Sequence, residues 1–410
     1  METLFPRVGT SRVVRALASM ACVVLAEVTV GAQRAIPRPI IRDSAHVRII
    51  EYPTFAPELP PFSMSQRNPL QSSLRELPQA FRVEARPFLD LGGGADGDEE
   101  FDATHPYLSA TRLSNGVIVV NDRVQLKFFT STGKFLRSRG RSGGGPGEFT
   151  QTMEVCRFRG DSLLVRDIDG RHSVWNSQGD HVRTYPRIGH VASGGCTPNG
   201  LVIVQHNARA SDLLSTTDLA RYRIAHLDGS VARELGLLPS TRGQGGLIWS
   251  PSIVPVEDEL YVANARSYEL TIRSNAGRLR QITRLTKRAA EISDAEWRLR
   301  AELQIPKTAS RVERQRRVAT TIAQKPQGSY PAYSLVRVDA KRRVWIQDFE
   351  SQSGWTILGA DGMLLGRFVL PGADISRTQL VGVAVDHVVV FEEDTDGHVH
   401  LRFYRLSRGV

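Results

Sequence analysis

The stretch Asn115-Gly116-Val117-Ile118-Val119-Val120, followed by Leu126-Lys127-Phe128-Phe129 and then Gly133-Lys134-Phe135-Leu136-Arg137, decides the fold. Asn-Gly accepts the positive φ of a tight hairpin turn, and the apolar, β-rich runs on either side read as strands. Working outward, the first run recurs as Leu163-Leu164-Val165, Leu201-Val202-Ile203-Val204, Leu260-Tyr261-Val262, Val344-Trp345-Ile346 and Val388-Val389-Val390-Phe391. Turn residues precede these copies: Gly160-Asp161, Asn199-Gly200, Glu257-Asp258, Ala340-Lys341 and Val385-Asp386. A second strand follows, as in Ser173-Val174-Trp175, Tyr222-Arg223-Ile224, Leu270-Thr271-Ile272 and Trp355-Thr356-Ile357, and then a turn with glycine at Gly179, Gly229, Gly277 and Gly362. The repeated unit is a four-stranded antiparallel meander. One such sheet cannot bury both of its faces, whereas sheets packed radially around an axis can.

The spacing of the runs sets the number of units. They begin at residues 117, 163, 201, 260, 344 and 388, and only the step from 260 to 344 is far too long. That step holds helix signals. Ser293 with Glu296, and Ser310 with Glu313, fit the capping box, in which each side chain satisfies a backbone N–H of the other residue. With Pro306 between and Pro326 after, a helical hairpin is expected from Asp294 to Gln324, inside an insert of about residues 287–325. The expected fold is all-β: a six-bladed β-propeller of four-stranded antiparallel blades over residues 81–410, with the two-helix insert between blades 4 and 5. The last unit lacks its final strand. Val47–Tyr52 and Phe81–Glu84 both read as strands ahead of the first full unit, and one of them is expected to close the ring. Residues 33–80 otherwise form a connector rich in proline, with Pro53, Pro57, Pro60, Pro61, Pro69 and Pro78.

The first residues have a separate role. Arg7, Arg12 and Arg15 precede the apolar run Ala16–Ala26, which is too short to span a bilayer, and Val30-Gly31-Ala32 offers small residues for cleavage. Residues 1–32 are expected to be a removed secretory signal, leaving a periplasmic or extracellular chain without a transmembrane helix. The formal net charge is +10, unevenly spread. Residues 284–325 carry eleven Lys or Arg against five Asp or Glu. In an exported chain this basic insert points to an anionic surface or partner, or to a solvated helix face, and away from nucleic acid.

The run Gly133–Arg137 continues through Gly140 to Gly143-Gly144-Gly145-Pro146-Gly147-Glu148-Phe149. This resembles the repeat of NHL-type propellers, and the whole mature chain resembles bacterial exported six-bladed β-propeller proteins of the NHL-repeat/TolB-like superfamily. The Val47–Tyr52 opening, the helical insert and the Asp361-Gly362 turn fit that resemblance. It implies fold and location more than activity.

Candidate chemistry divides by residue type. Ser142, in Gly140-Arg141-Ser142-Gly143-Gly144, has the letters of a nucleophile elbow but lies in a glycine-proline loop between strands, so no catalytic residue is expected. Asp96, Asp98, Glu99, Glu100 and Asp102 crowd one loop without EF-hand order and read as a solvated acidic loop. Asp122, Asp167, Asn207, Asn264, Asp348 and Glu393 each follow the second strand of a unit and share one rim. Two readings exist: a ring of metal ligands at the axis, as in propeller lactonases, or Asx residues that cap turns. The second is favoured, and no cofactor is expected. Cys156 and Cys196 each lie four residues before a hairpin glycine, on inner strands of adjacent units. They are candidates for a disulfide, with two buried thiols as the alternative. Trp175, Trp345 and Trp355 lie within strands and are expected in the core between units. His206, Arg209, Trp249, Arg266, Tyr330 and Tyr333 lie on loops of one face, and are expected to line a pocket mouth suited to a peptide, glycan or protein partner. The expected function is non-catalytic binding. The alternative is a metal-dependent hydrolase or lyase, lactonase-like or amidating-lyase-like.

Overall fold

The computed structural model describes residues 36–52, 77–93, 99–102, 108–188, 190–191, 201–206, 219–239, 251–286, 294–303, 305, 310–323, 325, 331–348, 354–370 and 378–409. The leader, most of the proline-rich connector, and Asp96 and Asp98 of the acidic loop lie outside them.

The described residues are mostly β, in four-stranded antiparallel sheets with added strands. Sheet I is Ser109–Arg112, Ile118–Asp122, Gln125–Phe129 and Phe135–Arg139. Sheet II is Thr152–Arg157, Leu163–Asp167, His172–Trp175 and His181–Tyr185. Sheet III is His190–Val191, Leu201–His206, Leu219–His226 and Val231–Pro239. Sheet IV has Ser252–Val256, Glu259–Asn264, Glu269–Ser274 and Leu279–Leu285 at its centre. Sheet V is Tyr333–Val338, Val344–Asp348, Gly354–Leu358 and Leu364–Val369. Sheet VI takes Thr378–Val383, His387–Glu393 and Val399–Arg408 from the end of the chain.

The recurrent apolar runs are the second strands. They are apolar on both faces because both faces are covered: Ile118–Asp122 and Val344–Asp348 are buried along their whole length. Six apolar clusters lie between consecutive sheets. Phe128 and Trp175 lie between I and II, Leu164 and Ala225 between II and III, and Ile224 and Leu260 between III and IV. Tyr261 and Ile346 lie between IV and V, Trp345 and Val390 between V and VI, and Val389 and Val120 between VI and I. Trp175, Trp345 and Trp355 are at most 2% exposed, as their strand positions imply. The turn glycines between third and fourth strands follow the same order. A Cβ on Gly133 would stand 2.7 Å from Leu89 of sheet VI, and one on Gly362 would stand 2.1 Å from Gln281 of sheet IV. Both have positive φ, so glycine is needed for the turn and for the close approach.

The two early strands separate. Phe81–Val83 and Leu89–Gly92 pair antiparallel with the final strand, with Phe81 opposite Arg408 and Leu89 opposite Phe403. Sheet VI therefore joins residues 81–92 to the last strand of the chain. Val47–Tyr52 instead pairs parallel with Leu279–Leu285 on the outside of sheet IV, and Ile40–Ser44 extends that edge. Tyr52 anchors this hairpin. It is buried between sheets IV and V, and its hydroxyl accepts the Leu364 N–H at 2.7 Å. Arg284 ties the added strand to sheet IV by pairing with both Glu51 and Glu269.

Two helices, α1 (Asp294–Leu303) and α2 (Arg311–Ala323), stand between sheets IV and V in the chain. Ser310 caps α2, its Oγ accepting the Glu313 N–H at 3.2 Å, while Ser293 lies outside the described residues. Trp297 is fully buried in the cluster of Tyr52 and Tyr333, and its indole N–H donates to the Thr321 carbonyl at 2.8 Å. One side chain thus fixes α1 to α2 and to the sheets beneath.

Candidate functional site

The last residues of the second strands supply the acidic and amide residues of the rim. Asp167 is 3% exposed and accepts backbone N–H groups from Gln151 and Ile168 at Oδ1, and from Thr150 at Oδ2. Arg171 closes the set at 2.9 Å. Asp122 accepts the Asp102 N–H at 3.0 Å and pairs with buried Lys127 at 3.0 Å; Lys127 also donates to the Glu100 carbonyl. Asp348 is fully buried and accepts the Tyr268 hydroxyl at 2.7 Å, a bond from sheet IV to sheet V. Asn264 accepts the Arg266 N–H in a tight turn. Each of these residues closes a turn or ties two segments together. Asn207 lies outside the described residues. Among the described residues, no three His, Cys, Asp or Glu side chains gather as a metal site.

The expected pocket mouth is only partly described. Arg209, Trp249 and Tyr330 lie outside the described residues. His206 ends the second strand of sheet III, opposite Arg221. Arg266 is exposed in its turn. Tyr333 departs from expectation. It begins the first strand of sheet V, opposite Asp348, and strand alternation turns its ring inward, so it is 3% exposed in the core between sheets IV and V. Burial raises its hydroxyl pKa well above the tyrosine range, and that hydroxyl sits beside the Ser252 backbone. It is a packing residue and does not line a mouth. Cys156 is disulfide-bonded, and its partner lies outside the described residues.

Two features escaped sequence reasoning. The first is a groove of about 770 Å³ between α1 and α2. Arg298, Glu302, Arg314 and Gln315 line it, together with Val318, Ala319, Ile322 and Ala323. Spacing of these apolar residues at i, i+1, i+4 and i+5 along α2 was its one sequence signal. The second is a row of ionisable residues across sheet II: Glu154 opposite Arg166, and Arg166 opposite His172. His172 is 2% exposed, and burial, then the Arg166 charge, pushes its pKa down to about 4. It is a neutral imidazole at physiological pH. Arg337, on the first strand of sheet V, is half-buried, and burial lowers its pKa to about 10, with the Glu154 carboxylate acting in the opposite direction.

No helix among the described residues is long and apolar enough to cross a membrane. No family model matches the chain, and no curated protein matches it. Solved structures do. A Bacteroides fragilis protein described as exported is 11% identical with a TM-score of 0.50, over 81% of this chain and 96% of that one. A member of the DUF4221 family from Bacteroides vulgatus is 13% identical with a TM-score of 0.50, over 81% of this chain and 99% of that one. BamB from Moraxella catarrhalis is 14% identical with a TM-score of 0.36, over 80% of this chain and 95% of that one. At these identities the first two likenesses concern the fold alone, and that fold is a β-propeller.

Proposed function

We propose that the chain is an exported, non-catalytic binding protein: a six-bladed β-propeller whose partner docks along the α1–α2 pair. Six apolar clusters joining consecutive sheets, the last back to the first, support six blades in a closed ring. Residues 1–32 act as a removed leader, a reading supported by their charge and hydropathy order. Cys156, on the first strand of sheet II, pairs with Cys196, which suits an oxidising compartment. The occupant of the groove is an acidic peptide segment of a protein partner.

The groove carries this reading. Its floor is apolar, from Val318, Ala319, Ile322 and Ala323, and Arg298 and Arg314 stand at its sides. An extended acidic segment with small apolar side chains satisfies both features. The test is fluorescence anisotropy of the purified mature chain with a labelled oligoglutamate peptide. Saturable binding that weakens with salt and is lost in the Arg298→Glu, Arg314→Glu double variant supports the reading. Absence of binding, or binding untouched by charge reversal, overturns it. Stoichiometric calcium or zinc in the purified protein would return the metal-dependent hydrolase or lyase reading instead.

A further inference from the structure

Glu302 stands in the wall of the α1–α2 groove, beside the cations that make the groove suit an acidic segment. It is exposed, and among the described residues it has no ion-pair partner. The other carboxylates described in the two helices do have one: Asp294 pairs with Lys325, and Glu313 with Arg317 one turn along α2. Arg298 and Arg314, which also line the groove, are held in no ion pair among the described residues. The groove therefore offers two cations and one anion to whatever enters it. A uniformly acidic occupant would set one of its carboxylates against Glu302, and like charges at close range repel.

The placement of these charges sets a spacing. The helices run antiparallel: Asp294 at the start of α1 pairs with Lys325 just past α2, and the Trp297 indole bonds to the Thr321 carbonyl near the end of α2. Arg298 lies beside that end. Glu302, one turn further along α1, lies toward the start of α2 and Arg314. Four helical residues rise about 6 Å. Two residues of an extended chain span about 6.6 Å and put both side chains on the same side. An extended segment lying along α1 thus sets residues j and j+2 against Arg298 and Glu302.

We propose, building on the groove as the docking site for an acidic segment, that Glu302 sets its specificity: it selects a segment in which a lysine or arginine stands two residues from a glutamate or aspartate. The acidic member of that pair meets Arg298, the basic member meets Glu302, and a further carboxylate of the segment meets Arg314 across the groove. A general preference for negative charge becomes a preference for one charge pattern, because the wrong pattern leaves Glu302 facing its own sign.

The experiment is fluorescence anisotropy of the purified mature chain at physiological ionic strength with two labelled undecapeptides, one all glutamate and one the same with lysine at its centre. Lysine lowers the negative charge of the peptide, so attraction to the basic helices alone favours the all-glutamate probe. The wild type should instead bind the lysine peptide about two- to fivefold more tightly, the gain of an exposed ion pair. Glu302→Gln, an exposed helix position, should reverse that order. Glutamine in place of the two glutamates that stand two residues from the lysine should remove the gain, whereas glutamine in place of the two adjacent glutamates should keep it. Tighter binding of the all-glutamate probe by the wild type, the wild-type order in Glu302→Gln, or an equal effect of both glutamine placements overturns the selectivity and leaves the groove as a docking site. Binding of neither peptide overturns the docking site, and the selectivity with it.

Discussion

Asp167→Asn separates a turn-capping carboxylate from a metal ligand. Asp167 accepts three backbone N–H groups at 2.7–2.8 Å and the Arg171 guanidinium at 2.9 Å. The amide keeps the shape but offers one acceptor oxygen, and its NH2 then faces donors. With the amide oxygen at the Oδ1 position the Gln151 and Ile168 N–H groups keep their acceptor, whereas the Thr150 N–H loses its own, at about 1–3 kcal/mol, and the charge-assisted bond to Arg171 is lost. Arg171 keeps some contact with solvent, at 19% side-chain exposure, which softens that last contribution. The expected loss is about 3–5 kcal/mol. Urea unfolding followed by tryptophan fluorescence measures it, with buried Trp175 reporting from the same sheet. The midpoint should fall with the slope unchanged, and EDTA should move neither protein. A variant that unfolds at the wild-type midpoint would refute the capping argument. So would an EDTA treatment that lowers the wild type to the level of the variant.

Three further outcomes follow from the same structure. His172 has a folded pKa of about 4 against an ordinary 6.5, so the unfolded chain binds more protons between those values. The His172 contribution to stability should fall by about 3 kcal/mol as pH drops through that window and change no further below about pH 4 or above 6.5; His172→Gln should remove this step from the urea midpoints. Trp297→Ala should cost about 3–5 kcal/mol of local stability and expose residues 294–323 to limited proteolysis; an unchanged digestion pattern would show that the helices are held by other contacts. Cys196→Ser should leave one titratable thiol at Cys156 in the mature chain and lower stability by about 2–4 kcal/mol, whereas free thiols in the wild type would reject the pairing.

The six second strands were legible because burial on both faces leaves a continuous apolar run, which no solvent-facing strand produces. The strand that completes sheet VI was not. Of the two early candidates, Val47–Tyr52 has the stronger β pattern, yet it pairs outside sheet IV, while Phe81–Val83 pairs with the last strand and is joined there by Leu89–Gly92, a short segment the pattern did not single out. Local pattern shows that a segment is a strand but not which edge it meets. The rim residues were found for a similar reason, since Asx turns have a local signature, but their role needed the N–H donors that only the fold brings to them. Tyr333 was misplaced because Pro331-Ala332 suggests a loop, and the strand begins one residue later with its ring pointing inward.

The ring itself is best tested at the seam between Phe81–Val83 and the last strand. Arg82 and Ser407 are exposed and directly opposite, and the Ser407 hydroxyl lies 3.5 Å from the Arg82 carbonyl. In the Arg82→Cys, Ser407→Cys double variant, mild oxidation should form the crosslink quantitatively, seen as a linked peptide by mass spectrometry. Closing so long a loop should raise stability by about 4–5 kcal/mol. A pair of thiols that stays reduced in the folded protein would contradict the closure of the ring by these two segments.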